Sequence, residues 1–156
     1  TADHETGGLT LSEGDRAALS RQTVSCDRFD EVYASIFQSL NTPFESALTD
    51  VIAAFGLTDL TQSERDYLAE AYRHTLEKDL SSAEQKAQYG VYAPITSAAA
   101  QLVSRRAGLS FGSFGHTGTD VPVYAVGVGS ERFVGTQENT AVYQHSMELI
   151  ALYGVH

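Results

Sequence analysis

Two short segments of this chain hold residue types that bind metal ions. Asp3 and His4 are adjacent, with Gly7 and Gly8 just behind them. A carboxylate oxygen and an imidazole nitrogen both suit zinc, and a loop can turn the two toward one ion. The glycines allow positive φ and close backbone approach, which a loop wrapped around a site requires and an ordinary turn requires equally. An Asp-His pair also serves as a cap or a surface hydrogen bond, so the pair alone leaves both readings open. His116 stands in the small-residue loop Gly115-His116-Thr117-Gly118-Thr119-Asp120. There an imidazole can face an ion or an anion, or act as a turn histidine bonded to a carbonyl. Of the other histidines, His74 lies mid-helix beside Arg73 and near Glu70 and Glu77, as on a solvated face. His145 and His156 have no partner that the sequence identifies. No Gly-x-Ser-x-Gly elbow and no phosphate-binding loop ending in Lys-Ser or Lys-Thr occurs, and Cys26 has no basic neighbour beyond Arg28. An attacking nucleophile is not legible in these residues.

The composition bounds what surrounds these segments. The chain has 156 residues, 42% of them apolar, enough to fill the core of one globular unit. Twenty acidic against ten basic residues give a charge of -10, which disfavours tracking along nucleic-acid backbones. The basic residues are eight Arg and only Lys78 and Lys86, a balance that hints at a salt-adapted surface. No apolar run reaches the ~18 residues of a membrane-spanning helix, and the first residues lack the basic-then-apolar pattern of a signal peptide. A single cysteine allows no internal disulfide and no cysteine-based zinc cluster, and Cys26 reads as a half-buried structural thiol.

Between the two segments the chain reads as helices. Leu9-Thr10-Leu11 suits a short strand. Asp27 is expected to cap a helix with the stripe Phe29, Val32, Tyr33, Ile36, Phe37 and Leu40. Thr42 to Glu45 reads as a capping box with Pro43 at the first helical position, ahead of a helix that Gly56 stops. Thr61 to Glu64 is a second box, before a stripe of Tyr67, Leu68, Ala71, Tyr72, Thr75 and Leu76. A fourth helix is expected from about Ile95 to Ala107, stopped by Gly108. Val121-Pro122-Val123-Tyr124-Ala125-Val126 reads as a buried strand, and a last helix runs from Asn139-Thr140 to Gly154. Strands at both ends with helices between them suggest α/β layering, but so few strands make an incomplete sheet. The missing strands are expected upstream of Thr1, where the chain opens without a methionine.

Taken together, Thr1-Ala2-Asp3-His4-Glu5-Thr6-Gly7-Gly8 and Gly115-His116-Thr117-Gly118-Thr119-Asp120-Val121-Pro122-Val123-Tyr124-Ala125 resemble two motifs of the alkaline phosphatases, in that family's order. The stretch from Gly127 to Thr140, with Phe133, Gly135 and Glu138-Asn139-Thr140, resembles its C-terminal end. About forty residues carry the likeness, and roughly Ser12 to Arg106 has no matching motif. The resemblance implies a three-layer α/β/α sandwich, with residues 12–107 as a helix-rich insertion and 108–156 as the terminal strand and helix. It implies hydrolysis of phosphate monoesters through a phosphoserine, at a cluster of two zinc ions and one magnesium. Asp3 and His4 would bind the zinc that activates the serine, and His116 the zinc that assists the leaving oxygen. Paired cations a few Å apart stabilise both the entering and the departing oxygen of an in-line displacement, which removes the need for a histidine base.

In that family the nucleophilic serine, the phosphate-holding arginine, the magnesium ligands and the rest of the second zinc shell precede the first motif. None is present here, and three ligands shared by two ions fall short of the three that a catalytic zinc keeps. The chain alone is therefore expected to be inactive. The family also implies a homodimer in the periplasm or outside the cell. His4 and His116 are 112 positions apart, and the helices between them read as packing or interface more than as substrate contacts. Two alternatives remain: another hydrolase of the wider superfamily, such as a phosphodiesterase or sulfatase, and a non-catalytic fragment that acts as a binding or structural partner.

Overall fold

Local signals account for most of the helices in the computed structural model, which describes residues 1–154. Helix α1 is a single turn, Ala17–Ser20. Helix α2, Cys26–Phe29, is capped by Ser25, whose hydroxyl accepts from the Arg28 N–H at 3.2 Å, so Asp27 falls inside the first turn instead of capping it. The helix widens into a π turn at Asp30–Ala34 and continues as α3, Ser35–Leu40, until Asn41 turns left-handed at φ 47°. The expected box at Thr42 does not form. The Thr42 carbonyl accepts from the Tyr72 hydroxyl at 2.5 Å, and α4, Phe44–Phe55, starts one residue later behind Pro43, with no side-chain cap. Gly56 ends it at φ 63°, a conformation that costs a glycine little. The second box is complete: Thr61 accepts from Glu64 N, and the Glu64 carboxylate accepts from Thr61 N, at the head of α5, Gln62–Glu77.

A helix that the apolar pattern does not reveal, α6, spans Ser82–Tyr89 behind an equivalent Ser81–Glu84 box. Its faces are mostly exposed, so it has the cap signal without the stripe. Helix α7, Pro94–Arg106, runs through the centre of this region and packs on α4, α5 and α6. Its N-cap is Ala93, which has no side-chain acceptor, and the cap comes instead from the π turn. Asp30 accepts from the Ala93 N–H at 2.8 Å and also from the Thr96 hydroxyl. A carboxylate there meets both the unpaired N–H groups and the positive end of the helix dipole. Another of those groups, Ile95 N, donates to the buried Thr75 hydroxyl at 3.0 Å.

These helices share one core. Phe29 is fully buried and meets the rings of Tyr33, Phe37 and Phe55 at 4.9–6.1 Å between centroids, while Leu68, Ala71, Ile95, Ala98 and Leu102 fill the space between α5 and α7. Strand β1, Thr10–Leu11, pairs antiparallel with β2, Leu109–Ser110, in the register Thr10 to Ser110. Beyond this ribbon Gly112 N and Ser113 N both donate to Gly7 O, at 2.8 and 3.1 Å. Gly7 is left-handed, and a Cβ there would come within 2.8 Å of the Ser113 carbonyl, so only glycine fits. The two ends of the region Gly7–Gly115, a compact unit in its own right, therefore lie side by side.

The second unit comprises Thr1–Thr6 and the chain from His116 onward. Here the expected strand over 121–126 is not part of any sheet among the described residues. Tyr124 is 85% exposed and Val126 101%, apolar side chains on a segment with no ladder neighbour. A strand needs a partner for its backbone groups, and none is available in this unit. The only pairing among the described residues is the β1–β2 ribbon, so the observed structure is mostly helical. A short 3-10 turn, Ser130–Phe133, leads to α8, Asn139–Tyr153, which forms as expected. An ion pair and a ring contact join the two, Arg132 to Glu148 at 2.5 Å and the Phe133 ring edge-on to His145, while Gln137 in the connecting segment donates to the Arg132 and Val134 carbonyls. His156 lies outside the described residues. Among those that are described, no helix is long and apolar enough to cross a membrane.

Candidate metal-binding loops

Asp3, His4 and His116 come together in the second unit. The His4 and His116 rings stack with centroids 3.5 Å apart and planes 20° from parallel. His4 is half-buried, and Asp3 and His116 are exposed. The His4 Nδ1 lies 2.8 Å from the backbone carbonyl of Glu5. A carbonyl can only accept, so Nδ1 is the donor, and in a neutral imidazole this tautomer leaves the lone pair on Nε2. That Nε2 faces Asp3 Oδ2 at 3.6 Å, while Asp3 Oδ1 accepts from the His4 N–H at 3.0 Å. One nitrogen and one carboxylate oxygen that can each bind a metal thus lie 3.6 Å apart. With ligand bonds of about 2.0–2.2 Å, a tetrahedral ion holds its donors a little over 3 Å apart, so the pair suits a zinc-sized cation.

The loops are joined by a second contact. Thr117 donates from its hydroxyl to Glu5 Oε2 at 2.5 Å and accepts at that hydroxyl from Thr119 N at 3.4 Å. Sequence reasoning passed over Glu5 and Thr117, because they are as far apart in the chain as the two histidines and no spacing rule connects them. The loops border an open cleft of about 1410 Å³, closed on another side by residues 133–140.

The electrostatics here oppose a bare anion. Residues 1–6 and 116–156 carry six carboxylates and only one Lys or Arg, Arg132. Arg132 is already paired with Glu148. A phosphate group in this cleft would need added cations, whose local charge outweighs that of the surrounding side chains. The donors present make up part of a coordination shell only: among the described residues no three His, Cys, Asp or Glu side chains gather as a metal cage.

The other candidates do not join this site. His74 is not on a solvated face; its side chain is 9% exposed and Nδ1 meets Asp79 at 2.6 Å. Asp79 is held down to about 2, first by His74 and then by Arg73, a lock on the end of α5. His145 Nε2 meets Gln137 Oε1 at 3.1 Å. Cys26 is half-buried, and burial pushes its thiol up, away from reactivity.

Comparison with known proteins bears on the whole chain. The family model described as alkaline phosphatase matches residues 1–153. Alkaline phosphatase 4 of Bacillus subtilis (strain 168) is 28% identical over 141 residues, 90% of this chain and 26% of that protein. Alkaline phosphatase 3 of the same organism is 26% identical over 147 residues, 91% of this chain and 27% of that protein. The chain thus spans about a quarter of the length of these curated relatives. No solved structure gives a significant match. With its two loops in the order and residue types noted above, and with a match from residue 1 to residue 153, the chain belongs to the alkaline phosphatase family.

Proposed function

We propose that these residues serve a metal-dependent hydrolase that cleaves phosphate monoesters through a phosphoserine, Asp3 and His4 binding one zinc ion and His116 a second. The supporting observation is that two histidines 112 positions apart come to a ring separation of 3.5 Å, with the Asp3 carboxylate 3.6 Å from Nε2 of His4. Within this reading the Glu5 carbonyl fixes the His4 tautomer so that Nε2 is offered as a ligand. Asp3 supplies the charged oxygen beside it. The zinc ions would supply Lewis-acid stabilisation of the entering and departing oxygens of the displaced phosphoryl group. The surplus of carboxylates keeps anions out of the cleft until cations are in place.

The same reading assigns the nucleophilic serine, the magnesium ligands and the remaining zinc ligands to residues outside these 156. Residues 121–126 would take a place in the sheet of a three-layer α/β/α sandwich, and 12–107 would form a helical insertion. It extends to a homodimer located in the periplasm or outside the cell. The test uses the full-length protein. Asp3→Ala, His4→Ala and His116→Ala each should lower kcat/KM on a phosphate monoester by more than about 100-fold, beyond the 10–100-fold usual for residues that only support a ligand. Zinc content should fall in parallel; unchanged zinc stoichiometry in all three would refute the assignment. Faster turnover of a phosphodiester or sulfate ester would move the protein to another branch of the superfamily. The 156 residues expressed alone should show no turnover with zinc and magnesium added.

A further inference from the structure

Glu5 occupies a position between the two loops that its place in the sequence does not suggest. Its backbone carbonyl receives the His4 Nδ1 proton at 2.8 Å, and its side chain receives the Thr117 hydroxyl proton at 2.5 Å. Thr117 directly follows His116 and is half-buried in a stretch, 111–120, that is otherwise exposed. Its hydroxyl also accepts from Thr119 N, which ties the turn after His116 to the same carboxylate. One residue therefore constrains His4 through its main chain and the His116 loop through its side chain.

We propose that Glu5 is a positioning residue which, through Thr117, sets the spacing of His4 and His116 and so the geometry in which the two loops receive metal. The inference rests on the reading of Asp3, His4 and His116 as zinc ligands. On one side of His116, Gly115 is bonded to Ser113, whose hydroxyl accepts from Gly115 N at 3.2 Å and donates to Gly115 O at 3.0 Å; on the other, Gly118 follows Thr117, and the Glu5–Thr117 contact adds a hydrogen bond from this turn to the His4 loop. Neither glycine has an atom near enough to touch a side chain built there. Flexible glycines flanking a ligand make its position costly to fix on binding. Partners that orient metal ligands in this way are worth about 10–100-fold in metal affinity.

The experiment is a titration of the metal-free full-length protein with zinc, in competition with a chromophoric chelator, alongside the thermal midpoint of the metal-free form. Thr117→Val keeps the shape and removes the donor, and Glu5→Ala removes the acceptor. Each should weaken zinc binding by about 10–100-fold while the metal-free midpoint stays within a few degrees. Thr117→Ser and Glu5→Gln keep a donor and an acceptor respectively and should retain affinity within about threefold. The double variant Glu5→Ala/Thr117→Val should bind zinc no worse than the weaker single variant, because both remove one contact. Wild-type affinity in Thr117→Val overturns the proposal. So does an affinity in Glu5→Gln as low as in Glu5→Ala, which would mean that charge and not the hydrogen bond matters. A midpoint that falls in step with affinity would reduce the pair to a structural role. His4→Ala and His116→Ala run beside these; if they bind zinc like wild type, the ligand reading itself fails, whatever the Thr117 and Glu5 variants do.

Discussion

The helical unit Gly7–Gly115 and the unit built from the two chain ends are made from similar proportions of apolar residues but use them differently. In the first, Phe29, Phe55, Leu68 and Ile95 are fully buried. In the second, among the described residues, no apolar side chain is buried, and Tyr124, Val126, Val128, Tyr143 and Ile150 are exposed. A helix satisfies its backbone within itself, so helices with apolar stripes can bury those stripes against one another and form a core. Residues 121–126 have no strand beside them among the described residues, and no such core forms around them. The contact geometry of the second unit is therefore carried by hydrogen bonds, ion pairs and ring contacts: Glu5 with Thr117, Arg132 with Glu148, His4 with His116.

Four substitutions probe that difference. Phe29→Ala removes a ring that touches three others and should cost about 3–5 kcal/mol by chemical denaturation, a large share of the ~5–15 kcal/mol that ordinarily holds a domain folded. Arg106→Ala should cost about 1–3 kcal/mol, since Arg106 donates to Glu64 and to the Thr58 and Asp59 carbonyls, closing the C-terminus of α7 onto the N-terminus of α5. This cost depends on pH. The Arg106 guanidinium, with help from Thr61, holds Glu64 at about 2 against its ordinary 4.5. A carboxyl lowered on folding stabilises the native state fully above its unfolded value, and the contribution is lost as pH falls from about 4.5 toward 2. Stability of the wild type should therefore drop over that range more steeply than that of Arg106→Ala.

Ser81→Ala removes the cap of α6 and should cost about 1 kcal/mol, seen as faster hydrogen exchange in the first turn of that helix alone. Val126→Thr is expected to have the smallest effect, within about 0.5 kcal/mol in the 156-residue chain, because the side chain is already in water there. In the full-length protein the same change should cost more than about 1 kcal/mol if residues 121–126 join a buried sheet. Equal, small effects in both would count against the proposed sandwich.

The elements differ in how far they could be read in advance. Helices α4, α5, α7 and α8 were legible from part of their signals: a stripe and the stop at Gly56 for α4, a stripe behind the Thr61–Glu64 box for α5, the stop at Gly108 for α7, and the start at Asn139 and stop at Gly154 for α8. Helix α6 was not, because it has the Ser81–Glu84 signal but little apolar face. The Thr42 box does not form because the Thr42 N–H donates to the Phe37 carbonyl and the Glu45 carboxylate pairs with Arg65, and the Ala93 cap was invisible because Asp30 supplies it from another helix. At the site, the metal-binding residue types at Asp3, His4 and His116 stood out, whereas the Glu5–Thr117 contact did not.

The sequence by itself determined the local matters: most of the helical stretches, where Gly56 and Gly108 end a helix, and which two loops carry residue types that can bind metal. Those follow from propensity, capping and residue chemistry, which act over a few residues. Only the tertiary structure decided that Gly7 meets Ser113, that His4 stacks on His116, that Glu5 holds Thr117 and that, among the described residues, 121–126 have no strand beside them. Each depends on chain segments distant in sequence being brought together or left apart.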